Sequence, residues 1–248
     1  MNEVPWIRRG SQVLVIVPGF NEEGNISRVI EQIRAQDLGE VLVIDDGSKD
    51  RTASAAQEAG AMVLRLPFNL GIGGAVQAGL KFAADAGYAY VLRLDGDGQH
   101  RADEAGKLLQ LVMAGEADVA VGSRFLPAQH TYRPPMVRRI GIIWFSALVS
   151  LITRHKIYDA TSGMQAYNRR AVVMLADDYP QDFPEVESRI LMHKLNLRTV
   201  EITARMEPRT VGHSSITWIK SIYYIFKVSL GTFLGALRKT PRYFREEN

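Results

Sequence analysis

Short runs of consecutive apolar residues recur along the first half of the chain, and polar or glycine-rich turns separate them. The runs lie at residues 13–17, 41–44, 62–66, 90–94 and 119–121. Short continuous apolar runs rich in β-branched residues are typical of strands that are buried on both faces, as in a parallel sheet. The pattern therefore predicts five buried strands.

The segments between these runs have the spacing of helices. Apolar residues in 22–36 recur at intervals of three and four, and 71–86 reads as a glycine- and alanine-rich helix. Strands that alternate with helices predict an α/β fold, with an open, mostly parallel sheet flanked by helices. The glycines of 71–74 suggest a dinucleotide-binding loop, but their spacing does not match GxGxxG. Close packing of a helix start explains them better.

Polar clusters directly follow four of the predicted strands. They are Phe20-Asn21-Glu22, Asp45-Asp46, Asp95 with Asp97, and Ser123-Arg124. Ligands of open α/β sheets bind beyond the carboxyl ends of the strands. We therefore expect these four clusters to converge on one rim of the sheet and to form a binding site there.

Asp95 and Asp97 are the strongest candidates for metal chemistry. Two carboxylates on either side of one glycine repel each other unless a cation lies between them. Oxygen ligands suit Mg²⁺ or Mn²⁺, which share a substrate phosphate, and Gln99 offers a further neutral ligand. A solvated acidic turn is the alternative, but the position after a strand favours a metal site.

Two later segments are unusually apolar. Residues 140–152 are too few to cross a bilayer, and they predict either a core helix or a helix that lies on an anionic membrane. Residues 218–237 place Lys220 and Lys227 on one helical face and are too apolar for a free helix. We expect 216–248 to contact a membrane, a small membrane-protein partner or a second copy, and 1–215 to form the main domain.

The composition of the chain excludes only a few kinds of site and partner. The chain has 248 residues, of which 46% are hydrophobic, and a net charge of +3. It contains no cysteine, which excludes disulfides and thiolate-bound zinc. The mild positive charge does not argue for nucleic acid as a partner and is compatible with an anionic substrate or a membrane surface.

The motifs together resemble family 2 glycosyltransferases of the GT-A fold, on the branch similar to dolichol-phosphate mannosyltransferases. The matching stretches cover about residues 12–215 and read VPGFNEEGNI, VLVIDDGSKDRT, FNLGIGGAVQAGL, LRLDGDGQH, VGSRF, DATSGMQAYNRR and FPEVESRI. The resemblance implies a metal-dependent, inverting transfer of a hexose-type sugar from a UDP- or GDP-sugar to undecaprenyl or dolichyl phosphate. It also implies a peripheral enzyme at the cytoplasmic face of the membrane.

The resemblance assigns roles to individual residues as well. Residues expected to bind the nucleotide are Pro18, Phe20, Glu22, Ile44 and Asp46. Residues expected to hold the metal and diphosphate are Asp95, Gly96, Asp97 and Gln99, and those expected near phosphates are Arg124, Arg209 and Ser215. If the acceptor is a hydroxyl, a carboxylate base is required, and the candidates are Asp97, Glu185 and Glu187.

Other interpretations stay open at this point. Ser215 stands where the family often has a lysine that contacts a phosphate, and Met164-Gln165 stands where a Phe-Arg pair on the acceptor side is more usual. Glu185 and Glu187 are equally compatible with the first turn of a helix. A transferase that acts on a glycan hydroxyl and a nucleotide-binding module without catalysis are the alternatives to the lipid-phosphate enzyme.

Overall fold

A seven-stranded sheet forms the centre of the structure, a computed structural model that describes residues 12–126, 136–206 and 227–233. The strand order is β3-β2-β1-β4-β6-β5-β7, and β6 alone runs antiparallel to its neighbours. The strands are β1 (Val13–Gly19), β2 (Glu40–Asp45), β3 (Met62–Arg65), β4 (Tyr90–Arg93), β5 (Val119–Ser123), β6 (Gln165–Asn168) and β7 (Thr199–Thr203). The expected mostly parallel open sheet is thus confirmed.

Helices cover both faces of this sheet. They are α1 (Ile26–Ala35), α2 (Thr52–Glu58), α3 (Gly71–Ala86), α4 (Ala102–Met113), α5 (Met136–Thr153), α6 (Arg169–Asp177) and α7 (Pro184–Lys194). Side chains of α1, α2 and α4 share one core cluster, and those of α3, α6 and α7 share the cluster on the opposite face. A third, smaller cluster joins α5, α7 and the helical segment 227–233.

Strand β1 shows why the chain adopts this layered arrangement. All seven of its residues are buried. Val13, Val15 and Val17 point into one core cluster, whereas Leu14 and Ile16 point into the other. Because successive side chains of a strand alternate between faces, a continuous apolar run requires helices on both sides.

The glycines at the start of α3 allow close packing, as the sequence predicted. A Cβ on Gly73 would lie 2.3 Å from the carbonyl oxygen of Pro180, and one on Gly74 would lie 2.5 Å from Cβ of Leu70. The predicted and observed bounds of this helix agree. The 71–74 glycines therefore serve helix packing in this fold.

Several elements differ from the expectation or were not foreseen. Helix α1 begins at Ile26 rather than at residue 22, and a turn precedes it in which the backbone N–H groups of Asn25 and Ile26 donate to the carbonyl of Glu22. Strands β6 and β7 lack the long apolar runs of the first five. Glu185 and Glu187 do lie in the first turn of α7, so that interpretation is confirmed.

The apolar residues 140–152 lie within α5. No helix among the described residues is long and apolar enough to cross a membrane. Of the segment 218–237, only 227–233 is described, and that part is helical.

We predict that Gly73→Ala destabilises the fold, although alanine normally favours a helix over glycine. The added methyl would overlap the backbone of Pro180 and Gln181, and overpacking of this kind costs about 1–3 kcal/mol. The control is Gly106→Ala in α4, where the new methyl meets only Leu38 at 3.4 Å. Urea unfolding should show a loss of stability for Gly73→Ala alone, and equal stabilities would contradict the packing argument.

Candidate functional site

The carboxyl ends of β1, β2, β4 and β5 meet at one rim of the sheet, where the sequence placed the site. The backbone N–H of Asp46 donates to the carbonyl of Gly19 at 2.9 Å, and that of Gly96 donates to the carbonyl of Pro18 at 3.3 Å. These bonds join the loops after β1, β2 and β4. Convergence of the polar clusters is therefore confirmed by the topology.

The loop after β1 is locked to the loop after β2. The backbone N–H of Asn21 donates to Oγ of Ser48 at 3.0 Å, and that of Glu22 donates to Oγ1 of Thr52 at 2.8 Å. The Glu22 carboxylate accepts a bond from Asn25. Phe20 is 43% exposed at this rim, which leaves an aromatic face free for a flat ligand.

Two residues that we expected to touch the nucleotide have buried side chains. Pro18 and Ile44 lie within strands, and Ile44 packs in the core beneath α3. The position of the Ile44 side chain leaves its backbone as the part nearest the rim. Its expected contact with a substrate therefore cannot involve the side chain in this arrangement.

Asp45 and Asp46 both hold loops in place. Asp45 accepts a bond from the backbone N–H of Ser48 at 2.9 Å. Asp46 accepts bonds from the backbone N–H groups of Leu70 and Gly71, at 2.7 and 2.9 Å, and so caps the first turn of α3. Burial raises the pKa of Asp46, although these two N–H donors oppose the shift. Its expected contact with the nucleoside stays a prediction.

Asp95 lies at the centre of a group of buried polar side chains. Its Oδ1 accepts a bond from Nη2 of Arg93 at 3.3 Å, and its backbone N–H donates to Nδ1 of His100 at 3.0 Å. Because Nδ1 accepts, the neutral imidazole carries its proton on Nε2, which lies 3.7 Å from Oδ2 of Asp95. Burial raises the pKa of Asp95, but the positive charges of His100 in its protonated form and of Arg93 lower it by more, so the carboxyl group stays ionised.

Asp95, Asp97 and Gln99 fit a hard divalent cation through the chemistry of their oxygens. Asp97 Oδ1 accepts the backbone N–H of Gln99 at 3.0 Å, which shapes the turn. Within the described ranges, no three acidic or histidine side chains form a cluster that could hold a metal alone. Mg²⁺ in nucleotide sites takes one or two carboxylates and completes its shell with phosphates and water. These residues therefore suit an ion shared with a diphosphate.

Arg124 is held firmly by residues that the sequence analysis did not single out. Its Nε and Nη2 form a two-point ion pair with Asp159 at 2.7 and 2.8 Å, and Nη2 also reaches Thr161 at 2.7 Å. The guanidinium is buried. A phosphate would therefore meet an arginine whose orientation is already fixed, and the expected phosphate contact stays a prediction.

The two glutamates of α7 point in different directions. Oε1 of Glu185 accepts a bond from Nη2 of Arg93 at 3.3 Å, beneath the rim. The Glu187 carboxylate faces Gly231 of the segment 227–233. Burial, followed by repulsion from Asp182, raises the pKa of Glu187, as expected of a candidate base. Arg209 and Ser215 lie outside the described residues.

Gly163 is a further rim residue that the sequence analysis missed. A Cβ at this position would lie 2.5 and 2.9 Å from the two carboxylate oxygens of Asp95. Its signal in the sequence is the glycine of DATSGMQ, just before β6. The strand pairing explains the proximity, because Arg93 of β4 lies opposite Gln165 of β6.

The family of the chain follows from comparison with known proteins. The sequence model described as Glycosyl transferase family 2 matches residues 14–174, more than half of the chain. The chain belongs to glycosyltransferase family 2.

Similar proteins support both the family and the fold. The chain is 27% identical to polyprenol monophosphomannose synthase of Mycolicibacterium smegmatis, over 93% of this chain and 91% of that one. It is 24% identical to UDP-N-acetylglucosamine--dolichyl-phosphate N-acetylglucosaminyltransferase of Methanococcus voltae, over 90% and 98% of the two chains. Glucosyl-3-phosphoglycerate synthase of Mycobacterium tuberculosis, solved with Mn²⁺, UDP and glucosyl-3-phosphoglycerate, has a TM-score of 0.66 at 20% identity, over 92% of this chain and 80% of that one. The likeness to that structure shows the GT-A fold.

We predict that Gly163→Ala weakens Mn²⁺ binding in the presence of UDP or GDP by about tenfold or more, as loss of a supporting contact to a ligand does. The new methyl displaces the Asp95 carboxylate from its position beside Arg93. The free ion is measured by electron paramagnetic resonance. Gly141→Ala is the control, because its methyl would meet only Phe145 at 4.0 Å. Unchanged Mn²⁺ binding in Gly163→Ala would rule out Asp95 as a ligand.

Proposed function

We propose that the protein transfers a hexose-type sugar from a UDP- or GDP-sugar to a polyprenyl phosphate, in a metal-dependent reaction that inverts the anomeric centre. The observation that carries the proposal is the pair Asp95 and Asp97 at the strand-end rim, joined by backbone bonds to the loops of Glu22 and Asp46. The names of the relatives support a polyprenyl-type phosphate acceptor.

The donor half of the site is the rim between β1, β2 and β4. Phe20 offers an exposed aromatic ring, and Asp46 lies at the start of α3. Asp95, Asp97 and Gln99 would hold Mg²⁺ or Mn²⁺ against the diphosphate. When bound, the ion acts as a Lewis acid that stabilises the charge of the leaving nucleoside diphosphate.

The acceptor half requires positioning more than proton transfer. A lipid phosphate is already anionic at neutral pH, so no strong base has to activate it, and a well-oriented approach to the anomeric carbon suffices. Arg124, fixed by Asp159 and Thr161, supplies an oriented positive charge at the end of β5. A preorganised cation of this kind stabilises a phosphate without reorganising during the reaction.

We predict that Asp97→Asn lowers sugar transfer by a factor on the order of 10²–10³, the usual effect of removing one preorganised group that stabilises developing charge. The assay offers labelled donor sugars with Mn²⁺ and a polyprenyl phosphate, and measures labelled lipid and released nucleoside diphosphate. The control Asp85→Asn changes an exposed aspartate of α3 far from the rim. Intact turnover in Asp97→Asn would contradict the metal assignment, and transfer to a free glycan in place of the lipid would favour the hydroxyl-acceptor alternative.

The exposed face of α5 supports a location at the membrane surface. Ile140, Ile143, Trp144 and Leu151 lie on one side of this helix and are 57%, 59%, 52% and 77% exposed. Arg139 and Arg154 flank this apolar face and are exposed as well. Nε1 of Trp144 also donates to Oγ of Ser229 at 2.9 Å, which ties the segment 227–233 to the same surface. An apolar helical face with basic flanks is typical of helices in the interface of an anionic membrane.

We predict that Ile143→Glu combined with Leu151→Glu lowers binding to vesicles that contain anionic lipid by at least about tenfold. Each side chain contributes about 1.5–3 kcal/mol when it enters an apolar phase. Co-sedimentation measures the bound fraction. Met113→Glu, at a 47% exposed position of α4, is the control on a different surface. Equal binding by all three proteins would exclude α5 as the contact.

A further inference from the structure

Arg93 is a charged residue with no exposed surface, and no step proposed above uses it directly. It stands in β4 two residues before Asp95, on the face of the sheet that α6 and α7 approach. Its Nη1 donates to the hydroxyl of Tyr179 at 3.3 Å. Its Nη2 donates to both Asp95 and Glu185, each at 3.3 Å.

Burying a guanidinium costs free energy, because the ion loses its hydration even when it is paired with a carboxylate. A buried arginine therefore calls for an explanation beyond packing. Hydrophobic residues of similar volume often replace such groups without loss of stability. Arg93 also keeps Nε without a hydrogen-bond partner in the described structure. Stability alone therefore gives a poor account of this arginine in the middle of a core strand.

We infer that Arg93 is a positioning residue, which fixes the orientation of the Asp95 carboxylate for the donor diphosphate and its cation. Glu185 is the second residue on which this orientation depends. It keeps the arginine charge compensated from the α7 side when a cation draws on Asp95. The inference rests on the proposed function, since it assigns Arg93 a task in the metal-dependent site.

The geometry supports orientation as the mechanism. Asp95 is held by Arg93 at Oδ1 and lies beside His100 at Oδ2. On a third side the space is limited by Gly163, where a Cβ would lie 2.5 Å from Oδ2. The arginine is held in turn by Glu185 on a helix and Tyr179 on the segment before it. Partners that orient a metal ligand in this way commonly contribute a factor of about 10–100 in metal affinity.

A charge-matched double variant separates orientation from simple electrostatics. Arg93→Met with Glu185→Gln removes one positive and one negative charge, so the local charge of Arg93, Asp95 and Glu185 stays at −1. A purely electrostatic role predicts unchanged affinity for the cation. A positioning role predicts that binding is weakened by about 10–100-fold, because Asp95 loses its fixed orientation.

The readout is Mn²⁺-dependent retention of labelled UDP or GDP in equilibrium dialysis, which requires no turnover. The control Arg170→Met with Asp118→Asn removes another arginine–carboxylate pair, at the opposite edge of the sheet before β5. It should bind like the wild type even where its unfolding temperature falls. If the first double variant does not fold, Arg93→Lys replaces it, because lysine keeps the charge but lacks the rigid guanidinium plane that directs Nη1 to Tyr179 while Nη2 contacts both carboxylates. We expect Arg93→Lys to bind about tenfold more weakly, at the lower end of the same range.

Wild-type affinity in the folded double variant, or in Arg93→Lys when that variant is needed, would overturn the positioning role. Failure of the wild-type protein to retain either nucleotide with Mn²⁺ is a different result. It would refute the proposed donor site itself and with it the task assigned to Arg93.

Discussion

The central strand β1 is buried along its whole length, and the rest of the structure depends on this burial. Its apolar side chains point to both faces, so the chain has to return from each strand through a helix and cover both sides. Such crossovers make neighbouring strands parallel. Parallel strands end at the same edge, so every loop that follows a strand brings its polar residues to one place. The arrangement that removes valine and isoleucine from water is thus also the one that assembles the carboxylates.

The sequence predicted the secondary structure correctly where a local pattern of apolar and polar residues determines it. The apolar runs predicted β1 to β5, and their order predicted the rim that holds Asp95 and Arg124. The pattern of apolar residues did not predict β6, a four-residue strand that starts at Gln165 and runs antiparallel to β4. A short strand of mixed residues is stabilised by its neighbours in the sheet, and those neighbours lie far away along the chain. Local propensity therefore carried little information there.

The same distinction holds for the site. Residues that we propose to contact a ligand were recognisable in the sequence from their position directly after strands. The residues that orient these side chains were not recognisable, because each partner is distant in sequence. Arg124 pairs with Asp159, and Arg93 pairs with Glu185. The one local signal for Arg93 was a charge inside an apolar strand, where unpaired charges are almost never found. Ile44 shows a further limit of the sequence, since its place beside a motif predicted contact with the nucleotide but did not predict that its side chain lies in the core.

Buried ion pairs connect the two halves of the site through α7. Glu185 and Arg189 lie one turn apart on this helix. Glu185 pairs with Arg93 below the donor side, and Arg189 pairs with Glu201 of β7. The Glu201 carboxylate also accepts the backbone N–H of Tyr158 at 2.8 Å, within the loop that carries the partner of Arg124. Movement of α7 would therefore disturb both halves together.

The reversed direction of β6 has a consequence for how such proteins diversify. The chain leaves the sheet at Ser123, at the rim, and re-enters it at Gln165, at the same rim. The described residues of the stretch between these two points, including α5 with its apolar face, add no strand to the sheet. The outward side of α5 can therefore change without altering strand register, whereas its inward side, with Phe145 and Val149, is fixed by the core it shares with α7. One strand framework can in this way present different outer surfaces beside the same rim, by changes confined to the exposed side of a single helix.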